Sequence, residues 1–389
     1  MIASQTPQPS PAAISALTLP RTLFAAGAVK GLSAELAGLG VRRPLVVTDR
    51  GLVAVGVASR VAAACGETAT AVLFDNVTEN PLYADVHAGV ALYAAAGCDG
   101  VIAVGGGSVI DTAKMIALLA TNPGSVADYA GKPNVPHGPT APLVVIPTTA
   151  GTGSEASPSA GIHPDAVTAS VGMNSRHLVP RLAVLDPELT VSLPRRLTAA
   201  TGIDALSHCI EGYLSNRDQP LGKSIALDGI RRVARHLRRA VANGSDLEAR
   251  GEMMLAAFAG GVSIGMGLGP AHAIAITCSD QGFHHGVLSG IGLVATLEAT
   301  AEHVPDRMAP VSEAFGLPAF GSLAAGVADL MRELGLPARL SELGYVAKDV
   351  SAMASAAERS HFNLSAPFRP TAANYHSFLT QSLNHETSK

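Results

Sequence analysis

The first half of the chain alternates short runs of β-branched residues with longer segments rich in Ala and Leu. The short runs predict buried strands, because they place apolar side chains at consecutive positions and are bounded by Gly, Pro and Asp. These predicted strands cover residues 44–49, 70–75, 100–106, 142–149 and 181–186. Residues 51–66 and 83–98 between them have the apolar spacing of helices. Strands that alternate with helices predict a parallel sheet covered on both faces.

The pattern changes near residue 194. Beyond this point Leu, Ala, Met, Glu and Arg recur at helical spacing, and β-branched runs are few. The last predicted strand is followed by Asp186, Pro187 and Glu188, which are typical of a turn. We therefore predict two domains, an α/β domain over residues 1–193 and an all-helical domain over residues 194–389.

One segment of the second half is apolar enough to resemble a membrane span. No Asp, Glu, Lys or Arg occurs between Glu252 and Asp280, a gap longer than the ~18 residues that indicate a membrane helix. Glycines and Pro270 interrupt the segment, His272 lies inside it, and neither flank carries a Lys/Arg cluster. We interpret the segment as a buried helical region of a soluble protein, and we expect no membrane partner.

Composition and charge narrow the function classes. The chain has 389 residues, 48% of them hydrophobic and 15% charged, against about 25% charged in a typical soluble domain. The net charge is −4, and the chain has no basic stripe interleaved with aromatic residues, so we expect no nucleic-acid partner. The basic run Arg231–Arg239 has helical spacing and is interpreted as a solvated helix face. The low share of charge favours a homodimer or higher homo-oligomer.

The cysteines and the first residues indicate the compartment. The four cysteines form no CxxC pair, which is typical of reduced thiols. The first 20 residues lack a basic region followed by an apolar stretch, so they predict no signal peptide. We therefore expect a cytoplasmic protein.

Two loops that follow predicted strands are candidate cofactor sites. The first contains Gly105, Gly106 and Gly107, then Ser108, which we predict to be the N-cap of the next helix. Backbone N–H groups at a helix start favour an anion such as a diphosphate, although a tight turn that binds nothing is an equally good interpretation of three glycines. The spacing is not that of the GxGxxG fingerprint.

The second loop spans residues 146–157 and is dense in hydroxyls. Thr148, Thr149, Thr152 and Ser154 can hydrogen-bond phosphate or ribose oxygens, or can cap the following helix. Both loops lie at the carboxyl ends of predicted parallel strands, where open α/β sheets bind ligands.

A candidate metal site lies in the helical half. Asp204 and His208 are four residues apart, so on a helix they project from one face and can share one cation. His272, His284 and His285 offer further imidazoles. A hydrogen-bonded Asp–His pair and an ordinary core histidine are the alternatives, but four candidate ligands together favour a metal.

Several motifs together resemble the iron-containing (group III) alcohol dehydrogenase family. Nearly end to end, and in family order, the chain contains VVTD, ENP, GGGSVIDTAK, PTTAGTGSE, ATGIDALSHCIEGY and GLGPAHA followed by HHG. Joint occurrence in order is far more specific than any single motif. The resemblance implies an α/β dinucleotide-binding domain with a parallel sheet and an all-α C-terminal domain, the architecture shared with dehydroquinate synthase, with a cleft between them.

The resemblance also implies roles for individual residues. The metal ligands are Asp204, His208, His272 and His285. The residues implied to surround the cofactor are Asp49, Asn80, Gly106, Gly107, Ser108, Thr148 and Thr149. A carboxylate at Asp49 would accept from both ribose hydroxyls and repel a 2′-phosphate, which favours NAD over NADP. An aspartate that only opens the next turn is the alternative.

Three departures from the family pattern affect the site. Ile276 stands where the family usually has a second histidine that is thought to relay the proton. His284, beside His285, is a candidate substitute, and a structural role is the alternative. Ser170 aligns with a position where the family often has a lysine near the nicotinamide ribose, and His361 and Phe362 precede the C-terminal motif where substrate-pocket residues fall.

The implied reaction is reversible hydride transfer between NAD(H) and a small alcohol, aldehyde or ketone. A divalent metal, Fe²⁺ favoured and Zn²⁺ the alternative, would polarise the substrate oxygen, and His272, His285 and His284 would form the catalytic surroundings. One rival is an oxo-acid reductase like maleylacetate reductase, which generally departs from the four-ligand set. Other rivals are a dehydroquinate-synthase-like lyase, whose set includes a Glu where this chain has Asp204, and an inactive NAD-binding homologue.

Overall fold

The structure is a computed structural model that describes residues 16–132, 135, 137–318 and 321–384. The first 15 residues, on which the expectation of no signal peptide largely depends, lie outside the described residues.

The described residues of the first half contain eight strands. They are β1 (Arg21–Phe24), β2 (Pro44–Val47), β3 (Val72–Phe74), β4 (Gly100–Gly105), β5 (Leu143–Pro147), β6 (Ser159–Ile162), β7 (Val171–Asn174) and β8 (Leu182–Leu185). Six of them form one sheet in the order β1-β8-β5-β4-β2-β3, and every pairing in it is parallel. The predicted parallel sheet and its five strands are confirmed.

Three strands were not predicted. β1 is a parallel edge strand whose side chains are mostly exposed, so it lacks the apolar run that marks a buried strand. β6 and β7 form a separate antiparallel pair. Each of these two strands is short and contains a glycine, so neither shows a clear strand pattern.

In the part of this half that the structure describes, six helices accompany the sheet. They are α1 (Leu32–Leu39), α2 (Arg50–Ala54), α3 (Val57–Ala64), α4 (Tyr83–Ala95), α5 (Gly107–Leu119) and α6 (Val126–Tyr129), with short 3-10 turns at Ala28–Gly31, Arg176–Leu178 and Pro187–Thr190. The predicted helix over 51–66 is wrong as a single element. Gly56 adopts a left-handed conformation with φ of 79°, which ends α2 and caps α3.

The two faces of the sheet bury different side chains of the same strands. On β4, Val101 and Ala103 pack in a cluster with α4 and α5, whereas Ile102 and Val104 pack in a cluster with α1 and α3. This alternation follows from the two-residue period of a strand. The prediction that helices cover both faces is confirmed.

The second half is helical throughout its described residues. Its helices are α7 (Arg195–Leu214), α8 (Pro220–Ala242), α9 (Leu247–Ile264), α10 (Pro270–Thr277), α11 (His285–His303), α12 (Pro305–Phe315), α13 (Leu323–Glu333), α14 (Leu340–Leu343), α15 (Val350–Glu358) and α16 (Ala372–Leu383), with 3-10 turns at Ser279–Gln281 and His361–Leu364. α7 begins close to the predicted boundary between residues 193 and 194, which stays a prediction.

The charge-free segment is divided between α9 and α10. The chain leaves helical conformation between Ile264 and Pro270, and both flanking helices bury most of their side chains in the core of the helical half. Within the described part of the chain, no helix combines the length and apolar character needed to cross a membrane.

The two halves meet at very close range. Gly153, in the loop after β5, has a φ of 64°. A Cβ added to Gly261 on α9 would lie 1.9 Å from the carbonyl oxygen of Gly153. Only two glycines allow this approach. Met254 of α9 also packs on Ala183 and Leu185 of β8.

Candidate metal and cofactor site

Three helices bring one carboxylate and three imidazoles to a common point. Asp204 and His208 lie one turn apart on α7, His272 lies in the first turn of α10, and His285 begins α11. The Nε2 atoms of His208, His272 and His285 lie 3.9, 4.0 and 3.9 Å from Oδ1 of Asp204. The structure therefore brings together all four residues proposed as metal ligands.

Three buried atoms of this cluster have no hydrogen-bond partner among the described residues. They are Oδ1 of Asp204, Nδ1 of His208 and Nε2 of His272, on residues that are 3%, 4% and 1% exposed. Oδ1 of Asp204 and Nε2 of His272 face each other at 4.0 Å. Leaving a buried polar atom unpaired costs about 1–3 kcal/mol, so two that face each other need an explanation. Asp204, His272 and His285 offer ligand atoms within 4.8 Å of one another, and one carboxylate with imidazoles suits a divalent transition metal. The donor set fits a metal ion.

The electrostatics of the cluster favour the ligand forms of these side chains. Burial lowers the pKa of His208 to about 4, aided by His272 and His285 and opposed by Asp204, so its imidazole is neutral at neutral pH. Burial alone would raise the pKa of Asp204, but the surrounding histidines outweigh it and the net pKa lies below its ordinary value. Neutral imidazoles and a charged carboxylate are the forms that coordinate a metal.

Glu211 supports this cluster from behind. It lies on the same helix, seven residues after Asp204, and its Oε2 is 2.6 Å from Nδ1 of His272. The same carboxylate accepts backbone N–H groups of Gly269 at 3.0 Å, Ala271 at 2.7 Å and His272 at 3.3 Å. It thereby holds the N-terminus of α10 and orients the His272 ring, as a second layer of polar groups does at metal sites.

Sequence analysis did not identify Glu211. Its spacing from Asp204 and His208 places all three side chains on one helix face, which was the available signal.

The candidate cofactor loops also lie side by side. β4 and β5 are neighbours in register, Gly105 opposite Pro147, and the Thr148 N–H donates to the Gly105 carbonyl at 3.1 Å. A Cβ added to Gly107 would lie 2.7 Å from Cγ2 of Thr152, so the two loops are in contact. The structure thus places the five loop residues proposed to bind the cofactor at one edge of the sheet: Gly106, Gly107, Ser108, Thr148 and Thr149.

The second loop extends to the cluster of proposed metal ligands, Asp204, His208, His272 and His285, which is called the metal cluster below. A Cβ added to Gly151 would lie 2.5 Å from Cβ of Thr201, which precedes Asp204 by three residues on α7. Gly260 of α9, beside the Gly153 contact, lies against Cβ of His208. The cofactor loops and the metal cluster therefore share one region where the two halves meet.

The prediction that Ser108 is an N-cap is wrong. α5 begins at Gly107 with Gly106 as its N-cap, so Ser108 lies inside the first turn. Its hydroxyl instead donates to the carbonyl oxygen of Glu79. This contact holds the loop that carries Asn80, whose side chain is exposed, beside the start of α5.

Asp49 lies at the same edge of the sheet, directly after β2, which pairs with β4. Its Oδ1 accepts the Leu52 N–H at 2.9 Å and caps α2. The turn-opening role weighed for this residue is therefore present, and it engages one of the two carboxylate oxygens.

Three residues that concern the departures from the family pattern lie in different places. His284 is the N-cap of α11, and its Nδ1 accepts the Gly286 N–H at 3.1 Å. Ile276 lies four residues after His272 on α10 and is 36% exposed, although most of this helix is buried. Ser170 is exposed immediately before β7.

A buried polar network lies beneath the cofactor loops. Nζ of Lys114 donates to the carbonyl oxygens of Ser157 at 2.9 Å and Ser159 at 2.7 Å. Burial lowers the pKa of Lys114 to about 8, opposed by Asp111 and Glu155, and burial raises the pKa of Glu155 to about 7. The network joins α5 to the start of β6, and sequence analysis did not single it out.

Comparisons with known proteins agree with this geometry. Residues 20–187 match the family model described as iron-containing alcohol dehydrogenase, and residues 198–383 match the C-terminal model of the Fe-containing alcohol dehydrogenase family. The chain is 40% identical to 4-hydroxybutyrate dehydrogenase of Cupriavidus necator, an alignment that covers 92% of this chain and 96% of that enzyme.

Two further proteins extend the comparison. NAD-dependent methanol dehydrogenase of Bacillus methanolicus is 33% identical, over 86% of this chain and 91% of that enzyme. The crystal structure of a 1,3-propanediol oxidoreductase superimposes with a TM-score of 0.91 at 30% identity, covering 95% of this chain and 100% of that chain. The chain belongs to the iron-containing alcohol dehydrogenase family.

Proposed function

We propose that this protein transfers hydride reversibly between NAD(H) and a small alcohol, aldehyde or ketone at the cluster formed by Asp204, His208, His272 and His285. The observation that carries the proposal is the pair of buried, unpaired ligand atoms on Asp204 and His272, next to two loops suited to a dinucleotide. Relatives in the family are named as dehydrogenases, and one of them, methanol dehydrogenase, is named as NAD-dependent.

We propose that the residues at this edge of the sheet bind the cofactor. The N–H groups at the start of α5 and the hydroxyls of Thr148 and Thr149 suit a diphosphate. Asn80 is held beside them through Ser108. Asp49 keeps one carboxylate oxygen for ribose hydroxyls, and its negative charge disfavours the 2′-phosphate of NADP, so NAD is the proposed cofactor.

The metal we propose is Fe²⁺, with Zn²⁺ as the alternative, since one carboxylate and three imidazoles suit both ions. When bound, such an ion supplies Lewis-acid polarisation of the substrate oxygen. Glu211 accepts the Nδ1–H of His272, so the lone pair of this imidazole lies on Nε2.

Ile276 carries no titratable atom, so another group must accept and donate the proton of the reaction. Nδ1 of His284 accepts the Gly286 N–H, so a neutral His284 holds its proton at Nε2. We propose that His284, or water, exchanges the proton of the substrate hydroxyl, with His272 and His285 as its catalytic neighbours.

Oligomerisation and compartment belong to the same proposal. The low share of charged residues supports a homodimer or higher homo-oligomer. All four cysteines are free and buried, in keeping with a cytoplasmic enzyme.

The decisive experiment replaces His272 with Ala. We expect the variant to lose both bound metal and turnover, because the substitution removes one ligand and opens the cluster. Elemental analysis of anaerobically purified protein measures the metal, and NADH formation or oxidation measures turnover over short, branched, aromatic and acidic alcohols and aldehydes.

His303→Ala is the matched control, since this exposed histidine ends α11, far from the cluster. It should keep metal and turnover. Full activity in a metal-free preparation would contradict the proposal, and an oxo-acid that outperforms every alcohol and aldehyde would favour a maleylacetate-reductase-like activity.

The substrate is proposed to be a short alcohol. Relatives are named for 4-hydroxybutyrate and for 1,3-propanediol, two short alcohols that carry a second oxygen-bearing group. We propose that the substrate of this chain belongs to the same size class.

A further inference from the structure

A short helical turn near the C-terminus lies directly against the metal cluster. It spans His361–Leu364, and the ring of Phe362 is 5.7 Å from the ring of His272, centroid to centroid. The ring of His361 lies 4.1 Å from that of Phe362, centroid to centroid, and the two rings are tilted by 38°. His361 is therefore separated from a metal ligand by a single aromatic side chain.

Several buried hydrogen bonds fix this turn. Nδ2 of Asn363 donates to the carbonyl oxygens of Ala357 at 2.8 Å and Glu358 at 2.9 Å, and Oδ1 of Asn363 accepts from Tyr375 at 2.6 Å. The Ser365 hydroxyl donates to the Leu268 carbonyl at 2.8 Å, just before α10. The turn is thereby attached to the segment that delivers His272, so its side chains have a defined position relative to the cluster.

His361 is accessible to solvent yet partly surrounded by protein. The residue is exposed and its ring has no hydrogen-bond partner among the described residues. Burial nevertheless lowers the pKa of His361 below its ordinary value, because the surrounding protein disfavours the charged imidazole. At neutral pH the imidazole is neutral and offers one N–H donor and one acceptor.

The neighbouring wall is apolar. Ile276 lies four residues after His272, on the same face of α10, and is 36% exposed. Ile276 and Phe362 present only carbon to a molecule bound beside His272. A substrate that is apolar throughout would cover the free imidazole of His361 without satisfying it, which costs about 1–3 kcal/mol.

We propose that His361 binds an oxygen at the far end of the substrate. The enzyme would then prefer short primary alcohols that carry a second hydroxyl or a carboxylate a few carbons from the reacting carbon. This inference rests on the proposed function, and it assigns substrate selection to a residue of this chain. The second hydroxyl and the carboxylate have in common an oxygen that can accept a hydrogen bond from the imidazole N–H.

The test compares three alcohols of equal chain length. They are 1-butanol, 1,4-butanediol and 4-hydroxybutyrate, each assayed by NADH formation with wild type and with His361→Ala. We expect the ratio of kcat/KM for the diol or the hydroxy acid to that for 1-butanol to fall about tenfold or more in the variant, chiefly through KM, because one hydrogen bond is lost.

Two further variants separate recognition from packing. His303→Ala removes a histidine that stacks on Phe368 at the same 4.1 Å but at the far end of α11, and should leave every ratio unchanged. His361→Gln retains a side-chain donor and should recover part of the lost ratio.

The outcomes are distinguishable. A loss for both the diol and the hydroxy acid indicates recognition of an acceptor oxygen, and a loss for the hydroxy acid alone indicates that a carboxylate is required. An equal loss with all three alcohols, or a wild type that shows no preference over 1-butanol, overturns the role of His361. No turnover of any alcohol by metal-replete wild type would instead overturn the proposed function.

Discussion

At the scale of single residues, the carboxylate of Glu211 serves two structural elements at once. It accepts three backbone N–H groups at the start of α10 and the Nδ1–H of His272. A negative charge is favoured at a helix N-terminus, and a neutral acceptor would serve both elements less well. The orientation of His272, a proposed metal ligand, thus depends on the carboxylate of Glu211.

Glu211→Gln should weaken metal binding about 10- to 100-fold, the usual effect of losing such a partner of a ligating histidine. The amide has one acceptor oxygen in place of two, and its NH₂ group faces donors. Titration of the metal-free protein with Fe²⁺ or Zn²⁺ measures the change in Kd.

Glu248→Gln, on the exposed start of α9, is the control for this substitution. An unchanged Kd in Glu211→Gln would show that Glu211 only caps α10.

Residue-level prediction from the sequence identified the candidate ligands where spacing and chemistry agreed, and their role in metal binding stays a prediction. Asp204 and His208 are recognisable as a helix-face pair, and the structure brings His272 and His285 to the same point. Glu211 shares the helix face of Asp204 and His208, but its other partners are the His272 ring and the backbone N–H groups of a distant helix start, which the spacing along α7 does not show.

At the scale of elements, α2 depends on the aspartate that is proposed to select the cofactor. Oδ1 of Asp49 accepts the Leu52 N–H, so a substitution that removes the side chain changes a helix cap as well as a charge. The two effects have to be separated experimentally.

Asp49→Asn separates them, because asparagine caps a helix as well as aspartate does but carries no charge. We expect the ratio of kcat/KM for NADP to that for NAD to rise by about fivefold, the effect of removing about 1 kcal/mol of charge repulsion near the 2′-phosphate. Steady-state kinetics with both cofactors measures the ratio.

The melting temperature of Asp49→Asn should stay close to that of wild type, whereas Asp49→Ala should also lose the cap, about 1 kcal/mol. If neither variant changes the use of NADP, Asp49 is a helix cap and no more.

Elements with a strong local pattern were predictable, and elements that depend on distant contacts were not. β4 and β5 are recognisable because every residue in them is buried. β1 is held by its pairing with β8, which is far away in sequence, and β6 pairs with β7 and is also hydrogen-bonded to α5. The break between α2 and α3 depends on the conformation of Gly56 rather than on apolar spacing.

At the scale of the whole molecule, the cofactor loops and the helical half join through a contact between two backbones. A Cβ at Gly261 would lie 1.9 Å from the Gly153 carbonyl oxygen, a distance that no real contact reaches. Because the neighbouring atoms are backbone, they cannot move aside as a flexible side chain can. The relative position of the cofactor loops and the metal cluster therefore depends on this pair of glycines.

Gly261→Ala should destabilise the protein by about 1–3 kcal/mol, the usual cost of overpacking, although alanine is the better helix former. Hydride transfer should slow as well, because the loops and the cluster move apart. Urea unfolding and steady-state kinetics measure the two effects.

Gly38→Ala in α1 is the matched control, since an added Cβ there would have no neighbour within 4 Å. It should stabilise the protein by about 0.5–1 kcal/mol and leave turnover unchanged. A Gly261→Ala variant as stable and active as wild type would show that the two halves adjust freely.

The proposed ligand set also joins α7 to α10 and α11, which lie far beyond it along the chain. An unfolded chain does not hold these four side chains together, so an ion that binds the set binds the folded protein selectively. Folding and metal supply are then linked equilibria: at a free metal concentration a thousand times Kd, the folded state gains about 4 kcal/mol. Native proteins are stable by only about 5–15 kcal/mol. The amount of folded enzyme in a cell would therefore follow the availability of the metal.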